Sequence, residues 1–524
     1  MRDAKIVTLY KNKGDRTDCN NYRGISLLSI VGKIFARVIL SRLQFLGTIV
    51  YPEAQCGFRP ERSTIDMIFA TRQIQEKCRE QQMPLFIAFI DLTKAFDLVS
   101  REGLFKVLKK IGCPEKLLSI IISFHESMTG VVSFDGESSS SFPITNGVKQ
   151  GCVLAPTLFG IFFSMLLHYA FNDSTDGIYL HTRSDGSLFN LARLKSKTLV
   201  RKVLVRELLF ADDAALVSHT EEGLQCMLSK FADACKEFGL TISIKKTQVM
   251  GLNTTTTPTL QLEGQPLEAV NDFVYLGSNI SSGASLDTEI KRRIAKAAST
   301  MSRLSKRVWD NKKVTKATKM KVYQACVIST LLYGSETWAT KAHQEDLLES
   351  FHMRSLRRIL GIRWQDRITN LQVLEETGML SIHLQLCKRR LRWLGHVRRM
   401  KDGRIPKDLL YGELEEGKRK VGCPKLRFKD VAKRDLKRTG IDINTWENEA
   451  EDRDNWKSLV RGKIMEGELD RRNLMKQKRQ RRKARESRLP LTFMSCPHCR
   501  ITFDTQRNLY IHLRISHNNQ IDWT

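Results

Sequence analysis

The chain has 524 residues, 41% of them hydrophobic, which is enough to bury more than one core and excludes a disordered protein. Lys and Arg number 86 against 57 Asp and Glu, a formal net charge of +29, so the expected partner is a polyanion, each neutralised phosphate releasing a counterion. No run of about 18 apolar residues is present to span a bilayer and no signal peptide follows Met1, so no membrane partner is expected and the chain reads as intracellular.

Residues 30–43 carry the apolar periodicity of a helix. A second helix is predicted to start at Ser63-Thr64, with Asp66 closing a capping box and Ile65, Ile68 and Phe69 on one face. Residues 85–91, Leu-Phe-Ile-Ala-Phe-Ile-Asp, read as a buried strand ending in a carboxylate. Residues 120–134 and 142–148 are expected to be strand-rich, with an apolar helix over 156–171. A strand over 203–210 would end at Ala211-Asp212-Asp213, and a helix over 222–238 is stopped by Gly239. A strand over 240–250 and a threonine-rich loop over 253–258 follow. This order is that of a split βαβ sheet. From 286 to about 459 the pattern is helical and basic; residues 471–488 then hold ten cations, Arg471 to Arg488, against one acid, Glu486, as in a solvated linker or basic helix.

Two strands that deliver acids at their tips suggest one shared site. Phosphoryl transfer to a nucleotide is commonly done with two divalent ions, and such hard cations take carboxylates on rigid supports. Asp91, Asp212 and Asp213 meet that need. Taken singly, each is as readily a turn acid at a strand end.

These acids stand in motifs. Phe89-Ile-Asp91-Leu-Thr-Lys-Ala95-Phe96-Asp97 resembles the first catalytic block of reverse transcriptases, and Phe210-Ala211-Asp212-Asp213 resembles the second, in the form found in non-LTR retrotransposons. Asn146-Gly-Val-Lys-Gln150-Gly151-Cys-Val-Leu-Ala-Pro156 resembles the block between them. Asn21-Tyr22-Arg23-Gly24-Ile25-Ser26-Leu27 and Gln55-Cys-Gly57-Phe58-Arg59 resemble the fingers blocks; Gly239-Leu240 through Lys246-Thr247 and Tyr275-Leu276-Gly277 resemble the late palm blocks. The resemblance is tight over residues 5–290, and Arg390-Leu-Arg-Trp393-Leu-Gly395-His396 is similar to a non-LTR C-terminal region.

The resemblance implies an α/β right-hand polymerase: fingers over 1–84, a split-βαβ palm over 85–285, a helical thumb and C-terminal region over 286–465, a basic linker over 466–492 and a ββα zinc finger over 494–518. It implies an RNA-directed DNA polymerase with Asp91, Asp212 and Asp213 holding two Mg2+ (or Mn2+) ions. Arg23 and Lys13 would meet the triphosphate, Gln150 and Gly151 would sit under the template base pair, and Lys246 belongs to the same nucleotide and template set. Phe96 would be the steric gate against a 2′-hydroxyl, its alternative being a core aromatic beside Ala95, and Asp97 would be structural through hydrogen bonds in its turn. Tyr275, Leu276 and Gly277 would form the primer grip. RNA template, DNA primer or target, and deoxynucleoside triphosphates are the implied partners. Relatives of this kind carry an apurinic-type endonuclease ahead of the fingers, whereas this sequence opens at the fingers, so a truncated copy or partial gene model is expected.

Ten cysteines lie scattered between Cys19 and Cys423, as befits reduced thiols. Cys496-x2-Cys499-x12-His512-x4-His517 instead has tetrahedral zinc-ligand spacing for one Zn2+, with Phe503 and Leu509 where a ββα finger needs its small core. Asp504, Thr505, Gln506, Arg507 and Asn508 stand where finger side chains reach bases, although a single finger reads only about 3 bp, and RNA is an equal candidate. The basic run reads also as a nuclear localisation signal, so a nuclear protein with a cytoplasmic RNA-bound stage is expected. The alternative function is a nucleic-acid-binding relic without polymerase activity. A nuclease at Asp452 and Asp454 is not supported, Trp446 and Trp456 beside them reading as core.

Overall fold

The computed structural model describes residues 4–12, 14–196, 198–417, 419, 422, 425–486, 494–503 and 506–517, without the side chains of 483, 485 and 486. Lys13, Asp504, Thr505 and Arg488, and the side chains of Lys483, Arg485 and Glu486, therefore lie outside the described residues. The chain divides into two compact units, Met1–Lys463 and Ile464–Thr524. No helix among the described residues is long and apolar enough to cross a membrane.

At the centre of the first unit is a five-stranded sheet in the order Glu268–Ala269, Gln248–Leu252, Leu85–Ile90, Asp213–Ser218, Glu207–Phe210. Every side chain of Leu85–Ile90 is buried, which a strand achieves only when both faces are covered and explains its unbroken apolar run. The helices Ala155–Phe171 and Glu221–Glu237 pack on each other, and the second also packs on Leu85–Ile90 and Asp213–Ser218. Ahead of them, Ser63 and Asp66 close the capping box of Thr64–Gln81, with Ser63 Oγ 3.2 Å from Asp66 Oδ1. A second sheet pairs Tyr22–Leu27, Ala4–Tyr10, Thr129–Phe134 and Glu137–Ser138, with Phe142–Pro143 beside Thr129 and Gly130.

Four expected elements differ. Residues 115–125 form the helix Glu115–His125, not the start of a strand-rich segment: the run Ile120-Ile-Ile122 looks β-branched, but Ile121 and His125, one helical turn apart, carry the burial. Only Phe142–Pro143 of the segment 142–148 is strand. The strand over 203–210 is two, Arg201–Val205 pairing with Ile178–Thr182 and Glu207–Phe210 pairing with Asp213–Ser218. Of 240–250 only the end is strand, Gln248–Leu252: Ile242 makes a single bridge to Leu92, and Lys246 N and Thr247 N then bond back to Ser243 O and turn the chain.

A second hydrophobic core, around Trp309, Tyr323 and Trp338, holds the helices between Asp287–Arg303 and Ile382–Arg399. The region expected as thumb does not end there as one body, since Ile405, Leu409 and Leu414 join the core of the central sheet. Glu413–Leu414 adds a strand to Ile178–Thr182, and the Lys77 ammonium donates to Gly412 O at 2.6 Å. Trp446 and Trp456 are core, as expected. In the second unit Met494–Ser495 and Thr502–Phe503 pair antiparallel ahead of the helix Gln506–Ser516, a ββα finger, and residues 471–486 of the basic run fall within the helix Arg453–Glu486.

Candidate active site and metal centre

Register brings the acids together. Ala214 pairs with Ile90 across antiparallel strands, so Asp213 at the start of one strand stands beside Asp91 at the end of the other. The turn Phe210-Ala211-Asp212-Asp213 joins paired strands, with Phe210 opposite Asp213, and Ala211 holds the left-handed conformation at φ 58°. A left-handed residue other than glycine is costly and needs support from its surroundings.

That support comes from Gln55, which is fully buried. Its Nε2 donates to Ala211 O at 3.1 Å, and its Oε1 accepts from Ala211 N and Gly57 N, each at 2.8 Å. Backbone bonds Cys56 N to Leu209 O at 2.9 Å and Leu209 N to Ala54 O at 3.1 Å fix the loop in register. Gly57 is obligatory at this approach, because a Cβ there would lie 2.1 Å from Ala211 N. The Gln55 to Arg59 block was legible as a motif, but its action on the acidic turn was not.

Two of the three carboxyls are perturbed. Crowding by surrounding protein raises the Asp212 carboxyl, with the charge of Asp91 adding to the effect and Arg23 opposing it. Although Asp213 reaches solvent, protein packed around it, then the charges of Asp212 and Asp91, push it up to about 6. This mutual repulsion is what a cation would relieve, and Lys246 already places its ammonium 2.8 Å from Asp91 Oδ2. The turn that carries Lys246 is closed by Lys246 N and Thr247 N bonding to Ser243 O at 3.0 and 2.9 Å.

Arg23, exposed on Tyr22–Leu27, reaches the site through its field at Asp212. The neighbouring Ser26 N donates to Gln150 O at 2.9 Å, and Gly151, at φ 111°, leaves no room for a Cβ, which would lie 2.5 Å from Ser26 O. Val148 N bonds to Phe96 O and Gly147 N to Val99 O, both at 2.9 Å, so the Gln150 segment is anchored to the Phe96 helix. Arg101, which the sequence did not single out, holds the same segment by donating to Ile144, Asn146 and Gly147 carbonyls. Phe96 is half-buried, stacked on Phe159 at 4.4 Å and edge-on to Phe58 at 6.2 Å. The hydrogen bond expected within the turn from the Asp97 side chain is absent among the described residues; the Asp97 backbone N–H donates to Lys94 O instead.

Tyr275 is buried and its hydroxyl donates to Leu208 O at 2.8 Å, tying Asp272–Tyr275 to a strand of the acidic turn. Leu276 and Gly277 form a turn at φ 47° and 79°, held by the Tyr333 hydroxyl on Leu276 O at 2.9 Å and by Arg293 on Gly277 O. Tyr333 and Arg293 are further residues that no sequence signal exposed, because they act from a turn and a helix more than a dozen residues away.

In the second unit the ligand atoms of Cys496, Cys499, His512 and His517 lie within 4.8 Å of one another, a donor set that fits one Zn2+. Among the described residues this is the one group of His, Cys, Asp and Glu drawn close enough to share an ion; the three aspartates share a rim without closing to that spacing. Phe503 and Leu509 are half-buried and Phe503 packs on His512 at 4.7 Å, so the small finger core is present.

A sheet that carries three carboxylates to one rim, with a preceding loop clamped on the turn between them, defines a palm of the polymerase class. Residues 10–280 match the family model described as reverse transcriptase (RNA-dependent DNA polymerase), and the chain belongs to that family. It is similar to the RNA-directed DNA polymerase from mobile element jockey of Drosophila melanogaster, 27% identical over 386 residues, 71% of this chain and 39% of that protein. It is similar also to the probable RNA-directed DNA polymerase from transposon BS of the same species, 25% identical over 411 residues, 76% of this chain and 42% of that protein. A transposon-derived protein of Caenorhabditis elegans is 30% identical over 266 residues, 48% of this chain and 94% of that protein. The chain thus spans 39% and 42% of the length of the first two relatives.

Proposed function

We propose that the chain is the RNA-directed DNA polymerase of a non-LTR retrotransposon, copying an RNA template onto a DNA primer or target from deoxynucleoside triphosphates. The observation that carries this is the meeting of Asp91, Asp212 and Asp213 at one rim, where burial and neighbouring charge raise the carboxyls of Asp212 and Asp213, beside Arg23, Gln150 and Gly151. Asp91, Asp212 and Asp213 would hold two Mg2+ or Mn2+ ions, which supply activation of the primer 3′-hydroxyl and neutralise charge on the leaving oxygens. Arg23, whose charge is felt at Asp212, would meet the triphosphate, its planar fork suited to phosphate. Lys246 holds Asp91 in place and balances its charge until the ions bind. Gln150 and Gly151 support the template base pair with their backbone, and Phe96 sits as the gate beneath the sugar. The turn Tyr275-Leu276-Gly277, tied to the acidic turn through Leu208, grips the primer end.

The finger and the basic helix ahead of it add affinity for nucleic acid, and the cations of that helix suit nuclear import. The test is primer extension on an RNA template. The wild-type chain is expected to extend, and Asp212→Asn to bind the same primer-template without extending it. Extension by Asp212→Asn at near wild-type rate would refute the assignment.

A further inference from the structure

Six of the seven tryptophans fall in the described residues, and five of those six are no more than 6% exposed. Trp364 is the exception at 87% exposed, the most exposed of the large hydrophobic side chains described. Burying an indole is worth more than burying almost any other side chain, and Trp364 forgoes that gain.

The backbone beneath it is built to hold it there. Gly361, at φ 72°, ends the helix Ala342–Leu360, and the short helical turn Trp364–Asp366 follows. Asp366 Oδ2 accepts from Arg363 N at 2.7 Å, Arg367 N donates to Trp364 O at 3.3 Å, and the Arg357 guanidinium donates to Ile368 O at 3.0 Å. Both ends of the loop are thus pinned, and the indole crowns a fixed turn.

Its surroundings are cationic. Residues 354–367 hold Arg354, Arg357, Arg358, Arg363 and Arg367 against the single acid Asp366. Arg363 and Arg367, which stand one residue before and three residues after Trp364 in the sequence, are exposed, and their guanidinium groups have no ion pair or hydrogen bond among the described residues. Arg358 donates to Ser305 Oγ at 2.7 Å and so brings the exposed Lys306 and Arg307 alongside. An exposed aromatic ring on the same short turn as unpaired arginines is complementary to an unpaired base flanked by phosphates: the ring stacks on the base and the cations take the phosphodiesters. A base paired inside a duplex is stacked on both faces and offers none to such a ring.

We infer that Trp364, with Arg363 and Arg367, is a stacking platform for single-stranded nucleic acid. It rests on the proposed polymerase reading for its biological setting, since a copying enzyme must handle single strands outside the duplex it makes, but its physical basis is separate from the palm. A protein partner would have to match the same arginines with acids, and it is an outcome of the test.

The experiment uses the full chain carrying Trp523→Phe, so that Trp364 dominates the solvent-exposed emission. A short single-stranded RNA oligonucleotide, the DNA of the same sequence and a blunt duplex are titrated, reading tryptophan quenching and affinity. Single strands of either kind are expected to quench the emission, and Trp364→Ala to weaken single-strand binding by roughly 5- to 100-fold, the scale of one stacked base. Duplex affinity and the melting temperature stay as in the parent, and Trp364→Tyr restores most of the binding. The inference is overturned if single strands leave the emission unchanged, which would hand the indole to a protein partner. It is overturned equally if Trp364→Ala loses single strands and duplex alike, or if Trp364→Tyr is as weak as Trp364→Ala. Primer extension in the same preparation separates the two readings: quenching without extension would remove the polymerase and leave the platform, and extension without quenching the reverse.

Discussion

Replacing Gln55 with Leu keeps the volume of a fully buried side chain but removes the amide that holds the acidic turn. Three hydrogen bonds disappear, two to the N–H and C=O of Ala211 and one to Gly57 N. Each buried backbone group left unpaired costs about 1–3 kcal/mol, and water entering at the rim holds the total near the low end, about 3–5 kcal/mol. The left-handed Ala211 adds a strain of about 1–2 kcal/mol that nothing then offsets. The turn is expected to relax toward right-handed backbone and move Asp212 away from Asp91. A displacement near 1 Å at reacting groups costs on the order of 100-fold in rate. Primer-extension kcat should therefore fall by roughly two orders of magnitude with the melting temperature only partly lowered. Ala211→Gly removes the Cβ penalty, so adding it to Gln55→Leu should recover part of the rate, whereas alone it changes little. Gln55→Leu extending as the wild type, or Ala211→Gly giving no recovery, would show that the amide does not position the turn.

The remaining expectations are separable from that one. A chelator or Cys499→Ser should unfold residues 494–517, seen as lost helical signal in that unit, while extension on a preformed primer-template stays unchanged; loss of extension would couple finger and palm. His352 is buried with its Nδ1 2.8 Å from the Tyr323 hydroxyl, and burial lowers it to about 4 from 6.5. The unfolded chain then binds the proton first as pH falls, so the stability His352 contributes is present above pH 6.5 and is lost as pH falls toward 4, about 2 kcal/mol of it between pH 7 and 5. Denaturant midpoints should fall over that window, and His352→Gln should flatten the fall; parallel profiles for the two proteins would contradict it. For Phe96, stacked on Phe159, Phe96→Val is expected to raise ribonucleotide use relative to deoxyribonucleotide. Equal losses of both in kcat/KM with a lowered melting temperature would make it a core aromatic instead.

Local chemistry wrote several parts of this protein directly into its sequence. The unbroken apolar run 85–90, the capping box of Ser63 and Asp66, the Gly239 stop and the finger ligands each depend on residues a few positions apart, and each stands where the periodicity or spacing put it. The acids at the strand tips were legible for the same reason. Where the reading failed, long-range pairing overrode propensity: the β-branched stretch 241–247 became the turn that presents Lys246, and Ile120 to Ile122 became helix because Glu115–His125 buries Ile121 and His125 on one face. Only the tertiary structure decided that Gln55, separated by 156 residues from Ala211, holds the acidic turn, that residues 405–414 return to the central core, and that Trp364 alone among the described tryptophans was left in water. Contacts across such separations are fixed by how finished elements pack, and no pattern of neighbouring residues encodes them.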